Sequence, residues 1–252
     1  MMRSLAAIGV TLCVLLAAPV AHAQKKFGDQ GQFIVGADRV MTFFSYSHWS
    51  RDLPPIPGAN KVTESGDQSS ISLLYGSSAD SNDFFYTVPR LGFDYVIVPN
   101  VTIGGEVIAF FTLGSSSSTE TQLNTGFAAH NPNPSPSTTI FGIAPRGGYI
   151  LQMSELFSFW LRGGLSYNTG TFKSVRNGVT TDSLTINQWA LDLDPQLVMT
   201  PFAHVGFTAG VTADLPFGGS HTTQIDPQSG ASVSGFSSVF HLGVTLGMLA
   251  YF

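Results

Sequence analysis

Apolar and non-apolar residues alternate at every second position through several stretches of this chain. The clearest is residues 237–252. Phe240, Leu242, Val244, Leu246, Met248, Ala250 and Phe252 fall on one parity, and His241, Gly243, Thr245 and Gly247 on the other. Side chains alternate faces along a strand, so this ribbon has one greasy side and one narrow, mostly polar side. It exceeds the usual strand of about five or six residues and suits a tilted strand crossing a bilayer.

The same alternation predicts strands over residues 32–48, 84–98, 101–113, 138–152, 156–167, 185–198 and 202–215, eight with the last. Leu91, Phe93, Tyr95 and Ile97 share one face of the second, opposite Arg90, Gly92 and Asp94. The first strand is out of phase, because Arg39 shares the apolar parity while Asp38 does not. An arginine facing lipid near mid-bilayer costs about 2–4 kcal/mol, so a bulge or a snorkelling side chain is expected there. Tight turns are predicted at 99–100, 154–155 and 200–201, and long polar loops over 49–83, 114–137, 168–184 and 216–235, with a possible exception in the short apolar piece Ile71 to Tyr75, read as a strand above the membrane. Long loops alternating with short turns match barrels that have surface loops at one end and periplasmic turns at the other. The pattern P-R-x-G-aromatic occurs at 89–93 and again at 145–149, too short to define a repeat architecture.

Targeting changes the picture next. Arg3, an apolar run and Ala21-His22-Ala23 make up a cleavable secretory leader over 1–23, with Gln24 as the first mature residue. The only cysteine, Cys13, lies inside that leader, so disulfides are not expected to hold the fold. Residues 24–252 carry ten basic against sixteen acidic side chains, a formal charge of −6, which argues against a nucleic-acid partner. No later run approaches eighteen apolar residues, so strands rather than helices are expected to cross the membrane.

Parity alone leaves two orientations. A soluble ligand-binding barrel would turn its apolar face inward. The other face, however, carries glycines at 92, 104, 148, 164, 206, 210, 243 and 247, which suit a crowded interior. It also carries Arg90, Asp94, Glu106, Arg146, Arg162, Asp192 and Asp194, three positive and four negative groups that can neutralise one another. The expected arrangement is a structural ion network plugging the lumen; a gated ion path is the sharper alternative. His48, His130, His204, His221 and His241 show no ligand-like spacing, so no metal, cofactor or catalytic residue is assigned. Phe43, Phe44, Trp49, Phe84, Phe85, Tyr86, Phe110, Phe111, Trp189 and Phe202 lie toward strand ends and read as aromatic girdles, or as a rim for lipopolysaccharide.

With its strand pattern, loop alternation and terminal aromatic Phe252, the chain resembles the eight-stranded bacterial outer-membrane β-barrels of the OmpA transmembrane domain, OmpX and opacity type. The resemblance implies an all-β, antiparallel, up-and-down transmembrane barrel over 24–252, located in the outer membrane. It also implies Phe252 as a signal read by the barrel-assembly machinery, with membrane lipid and lipopolysaccharide as further partners. Because the chain stops at the barrel, no wall-tethering domain is expected. The expected role is structural or surface-interacting and not enzymatic; a narrow pore for small solutes or ions is the alternative, a lipid A-modifying enzyme a more distant one.

Overall fold

The computed structural model of the chain describes residues 26–52, 63–71, 84–112, 116–121, 128–133, 137–176, 179–226 and 231–252. The leader expected over 1–23 lies outside them. The elements are β1 (Phe33–Asp52), β2 (Thr63–Ile71), α1 (Phe84–Thr87), β3 (Arg90–Val98), β4 (Val101–Thr112), β5 (Ser116–Thr121), β6 (Ala128–Asn133), β7 (Ser137–Gln152), β8 (Phe157–Arg176), β9 (Val179–Phe202), β10 (Val205–Asp226) and β11 (Ala231–Tyr251). β1, β3, β4, β7, β8, β9, β10 and β11 follow one another, each antiparallel to the next, and β11 pairs back onto β1. Eight strands thus close an up-and-down barrel.

One edge of β1 is shared between two partners. Residues 33–38 pair with β3, and residues 44–52 pair with β2. β2 carries Glu64, Asp67 and Gln68 and no apolar residue before Ile71, so the β1–β2 ribbon stands in water above the bilayer. β5 and β6 form a separate two-stranded ribbon.

Alternation places the apolar parity outward. Leu91, Phe93, Tyr95, Ile103, Phe141, Ile143, Leu161, Leu165, Leu191, Leu193, Phe207, Val211, Val244 and Met248 are all exposed. Such a continuous apolar surface on a closed barrel requires lipid around it. On β8 the band runs from Phe157 to Leu165 and gives way to Tyr167, a rise of about 25 Å at ~3.3 Å per residue and ~40° tilt. Among the described residues no helix is long and apolar enough to cross a membrane; strands make the crossing.

Strand limits differ from the sequence reading at several places. Phe84–Thr87 is a helical turn, not the start of a strand; Pro89 has no N–H to give a ladder, and β3 begins one residue after it. β9 runs through residues 200–201 to Phe202, and the turn falls at 203–204, where His204 takes a φ of 68°. The stretches 168–184 and 216–235, expected as loops, are largely paired ribbon, as in Thr171↔Thr185 and Thr222↔Ser234, and the expected loops 49–83 and 114–137 contain the paired strands β1–β2 and β5–β6. Threonine and serine sustain a ladder in water without a greasy face. Of the strand expected over 71–75, Ile71 belongs to β2, and residues 72–75 lie outside the described set.

The first strand resolves its phase by bulging. Between Ala37 and Met41 it uses four residues where β11 uses two, Met248 to Leu246. Arg39 adopts a φ of 55°, uncommon for a residue with a Cβ, and both Asp38 and Arg39 turn inward, 3% exposed. Arg39 therefore neither faces lipid nor snorkels.

The interior is layered. Near the short-turn end, Phe27, Ile34, Val96, Ile150, Trp160, Val198, Leu249 and Tyr251 form one buried apolar cluster. Phe27 comes from the lead-in segment and meets Trp160 and Tyr251 edge-on, at 5.7 and 5.4 Å between ring centres. Near the ribbon end, Tyr86, Val88, Ile108, Ile140, Ile186 and Val239 form a second, with Trp49, Phe110, Phe172 and Leu184 against it. Tyr86, Trp49 and Phe110 are thus inner packing and not girdle residues.

Candidate functional site

Between the two apolar layers lies a slab of charge. Arg90, Asp94, Glu106, Arg146, Arg162, Asp192 and Asp194 all stand inside it, none more than 8% exposed. Each reaches the lumen for the same reason: it occupies the inward parity of its strand. Gly104 and Gly164 sit directly across from Arg146 on its two neighbours. A Cβ on Gly164 would overlap the Pro145 carbonyl and one on Gly104 the Phe93 carbonyl, while one on Gly92 would come within 2.7 Å of Arg146 Nη2, so it is Gly92 that makes room for the guanidinium.

Arg146 is the hub. Its Nε donates to Asp94 Oδ1 at 3.0 Å and its Nη2 to Asp94 Oδ2, while Nη1 donates to Asp38 Oδ2 at 3.0 Å and to Glu106. Arg162 donates to Asp38 Oδ1 at 3.0 Å and to Asp194, and lies over the Trp160 ring, 4.7 Å from its centre. Arg90 donates to Glu106 Oε2 at 3.0 Å and Asp192 Oδ2 at 3.4 Å. Paired, charge-assisted bonds of this kind are what make buried ions tolerable.

Four members escaped the sequence reading. Arg39 grips Asp214 through Nη1 and Nη2, at 2.9 and 3.0 Å, and its Nη1 also donates to the Tyr86 carbonyl at 2.9 Å. Asp38 bridges Arg146 and Arg162. His241 Nδ1 meets Asp214 Oδ2 at 2.8 Å, and its ring stacks on Tyr86, 5.1 Å between centres. Asp214 and His241 had the inward parity in sequence; only the register, which pairs them directly across β10 and β11, shows that they meet.

One cavity among these side chains, lined by Arg39, Arg90, Glu106, Arg146, Arg162 and Asp192, has a volume of about 10 Å³, the threshold for a single water. Asp214 and His241 resemble the acid–histidine half of a catalytic triad, yet among the described residues both are 0% exposed beneath the upper apolar layer. Among the described residues no group of three or more His, Cys, Asp or Glu side chains is placed to hold a metal ion.

The other histidines are scattered. His221 is buried in β10, His204 bonds the Tyr251 carbonyl at a turn, and His130 lies on β6. On the β1–β2 ribbon, outside the bilayer, Asp67 Oδ1 accepts from the Tyr46 hydroxyl at 2.6 Å and meets His48 Nδ1 at 2.9 Å. The Tyr46 hydroxyl, and after it His48, hold the Asp67 carboxyl below its ordinary 3.8. A lowered folded value means that the contribution to ribbon stability is present above the unfolded value and is lost as pH falls through the folded one. In an NMR titration of the folded protein, Asp67 is expected to protonate below 3.8, and Tyr46→Phe to move that midpoint upward; an unmoved midpoint would remove the hydroxyl from the account.

Closed ring, lipid-facing band and filled lumen together define the class: a small transmembrane β-barrel. No protein-family model and no curated protein matches the chain. Solved structures with a similar fold include the outer-membrane protein OprG from Pseudomonas aeruginosa, at 12% identity over 88% of this chain and 96% of that one, TM-score 0.47. Neisserial surface protein A aligns at 10% identity over 88% and 99%, TM-score 0.39. Ail, the attachment invasion locus protein of Yersinia pestis, aligns at 12% over 88% and 99%, TM-score 0.35. Likenesses this distant carry no argument about role, and the class rests on the barrel's own geometry.

Proposed function

We propose that this chain is a non-conducting surface barrel: a structural platform in the outer membrane that holds its ribbons outward to contact the surroundings. The observation that supports this reading is the crowded interior, a charged slab between two apolar layers with a cavity of about 10 Å³ among its side chains. An ion crossing it would have to part Arg146 from three carboxylates and pass two apolar layers, each unfavourable to a bare charge. In this reading the role is non-catalytic, residues 1–23 are a cleaved leader and Phe252 is read during assembly.

Three measurements test it together. Purified protein in a planar lipid bilayer is expected to give no stepwise current, and steady openings would overturn the closed reading. An epitope placed at the β8–β9 hairpin tip, between Arg176 and Val179, is expected to be labelled on intact cells. Labelling only after the outer membrane is permeabilised would reverse the orientation. Lipid A recovered from cells with and without the protein is expected to have the same mass; a shifted mass would restore an enzymatic reading.

A further inference from the structure

The outer face of the β8–β9 ribbon is ordered from bottom to top in a way that the sealed lumen does not explain. Up to Leu165 and Leu191, which lie opposite each other, the outward residues of both strands are those of the lipid-facing band. The next outward pair is Tyr167 and Trp189, with ring centres 4.6 Å apart and tilted by 42°. Above it come Thr169 with Asn187, Thr171 with Thr185, and Lys173 with Ser183, every one polar. The change from apolar to polar takes a single aromatic pair.

The polar pairs form a ladder. Asn187 Oδ1 accepts from the Thr169 hydroxyl at 2.7 Å and the Tyr167 hydroxyl at 3.4 Å, and the Thr171 and Thr185 hydroxyls lie 3.1 Å apart. With its oxygen engaged twice, Asn187 has its N–H₂ group to offer a third party. Trp189 is 48% exposed. Its register partner on β10 is Gly218, where even an added Cβ would come no closer than 3.9 Å to it. Glycine there leaves the indole uncovered on that side.

We propose that this face is a binding site for the sugar-phosphate headgroup of an outer-leaflet glycolipid. A glycolipid has the same order of chemistry: acyl chains, then sugar rings with one apolar C–H face, then hydroxyls and phosphate. The acyl chains lie along the band below Leu165, and a sugar ring covers Trp189 and Tyr167, whose side chains suit a boundary that is apolar below and wet above. Its hydroxyls meet the Thr169–Asn187 and Thr171–Thr185 rungs, and a phosphate meets the exposed Lys173, a point charge on a flexible stem. Tyr167 to Lys173 spans about 15 Å along the barrel axis at ~3.3 Å per residue and ~40° tilt, the scale of a phosphorylated disaccharide. An ordinary interfacial girdle accounts for the aromatic pair alone; it calls for neither the ladder above it nor the glycine beside it. The site depends on which end of the barrel faces out and not on whether the lumen conducts.

The test is native mass spectrometry of the full-length mature protein in an uncharged detergent, with a diphosphorylated diglucosamine lipid and phosphatidylglycerol in competition. The glycolipid is expected to be retained about tenfold over phosphatidylglycerol, roughly one decade of affinity. Trp189→Ala and Asn187→Ala are each expected to erase that preference, and Lys173→Gln to weaken it only while the lipid carries phosphate. Tyr149→Leu, in the lipid-facing band of β7, serves as the control and is expected to leave it intact. Each variant is first shown to give the heat-modifiable gel shift of a folded barrel. Equal retention of the two lipids, or a preference that survives both Trp189→Ala and Asn187→Ala, would overturn the proposal.

Discussion

Arg146→Ala is expected to cost the barrel about 3–5 kcal/mol, the range for removing one partner from a buried ion pair. The substitution leaves Asp94 without a cation and takes one of two cations each from Asp38 and Glu106, all three being in contact with the lost guanidinium. Arg90 and Arg162 remain, but both are already engaged, with Glu106, Asp192, Asp38 and Asp194. Arg146→Lys keeps one positive charge and loses the two-pronged grip on Asp94, so an intermediate loss is expected. Urea unfolding in lipid vesicles, followed by the gel shift of the folded barrel, reads both. A loss below about 1 kcal/mol for the alanine variant, the size of an exposed pair, would mean that water already reaches the slab and that the lumen is not sealed.

Trp160→Ala is the second large effect, also about 3–5 kcal/mol by the usual range for a deleted core tryptophan. Trp160 is 1% exposed and serves both the lower apolar layer and the charged slab. Its ring packs against Phe27 in the lower cluster and lies under Arg162 and Arg146, at 4.7 and 5.7 Å, while Nε1 donates to Thr102 Oγ1 at 3.2 Å. Deleting it opens the lower seal and exposes the underside of the slab. Trp160→Phe keeps much of the volume and is expected to lose distinctly less. Equal losses for the two variants in the same unfolding experiment would show that ring volume is irrelevant and that the indole N–H alone matters.

Much of this architecture is readable from parity. Inward positions of Arg90, Asp94, Glu106, Arg146, Arg162, Asp192 and Asp194 follow from period two, because a strand has only two faces. Parity fails where a bulge changes the count. Asp38 and Arg39 are adjacent in sequence, so strict alternation puts one of them in lipid, and only two surplus residues against β11 bring both inside. It also says nothing about height. Trp160 and Tyr86 belong to sealing layers because of where strand tilt and register place them, and register between strands distant in sequence is not written in either strand alone. Ribbon lengths were missed for a different reason: above the membrane a ladder needs no hydrophobic alternation, so Thr- and Ser-rich strands read as loops.

β1 carries its surplus residues at the seam where the first strand of the ring meets the last. From that seam Asp38 and Arg39 reach Arg146 on β7, Arg162 on β8 and Asp214 on β10. The cylinder therefore cannot shut before those partners stand in place, nor can they be satisfied while it gapes. Insertion is expected to finish in one concerted latching event, and a polypeptide deprived of β11 to wait at the bilayer as an unlatched, protease-sensitive sheet.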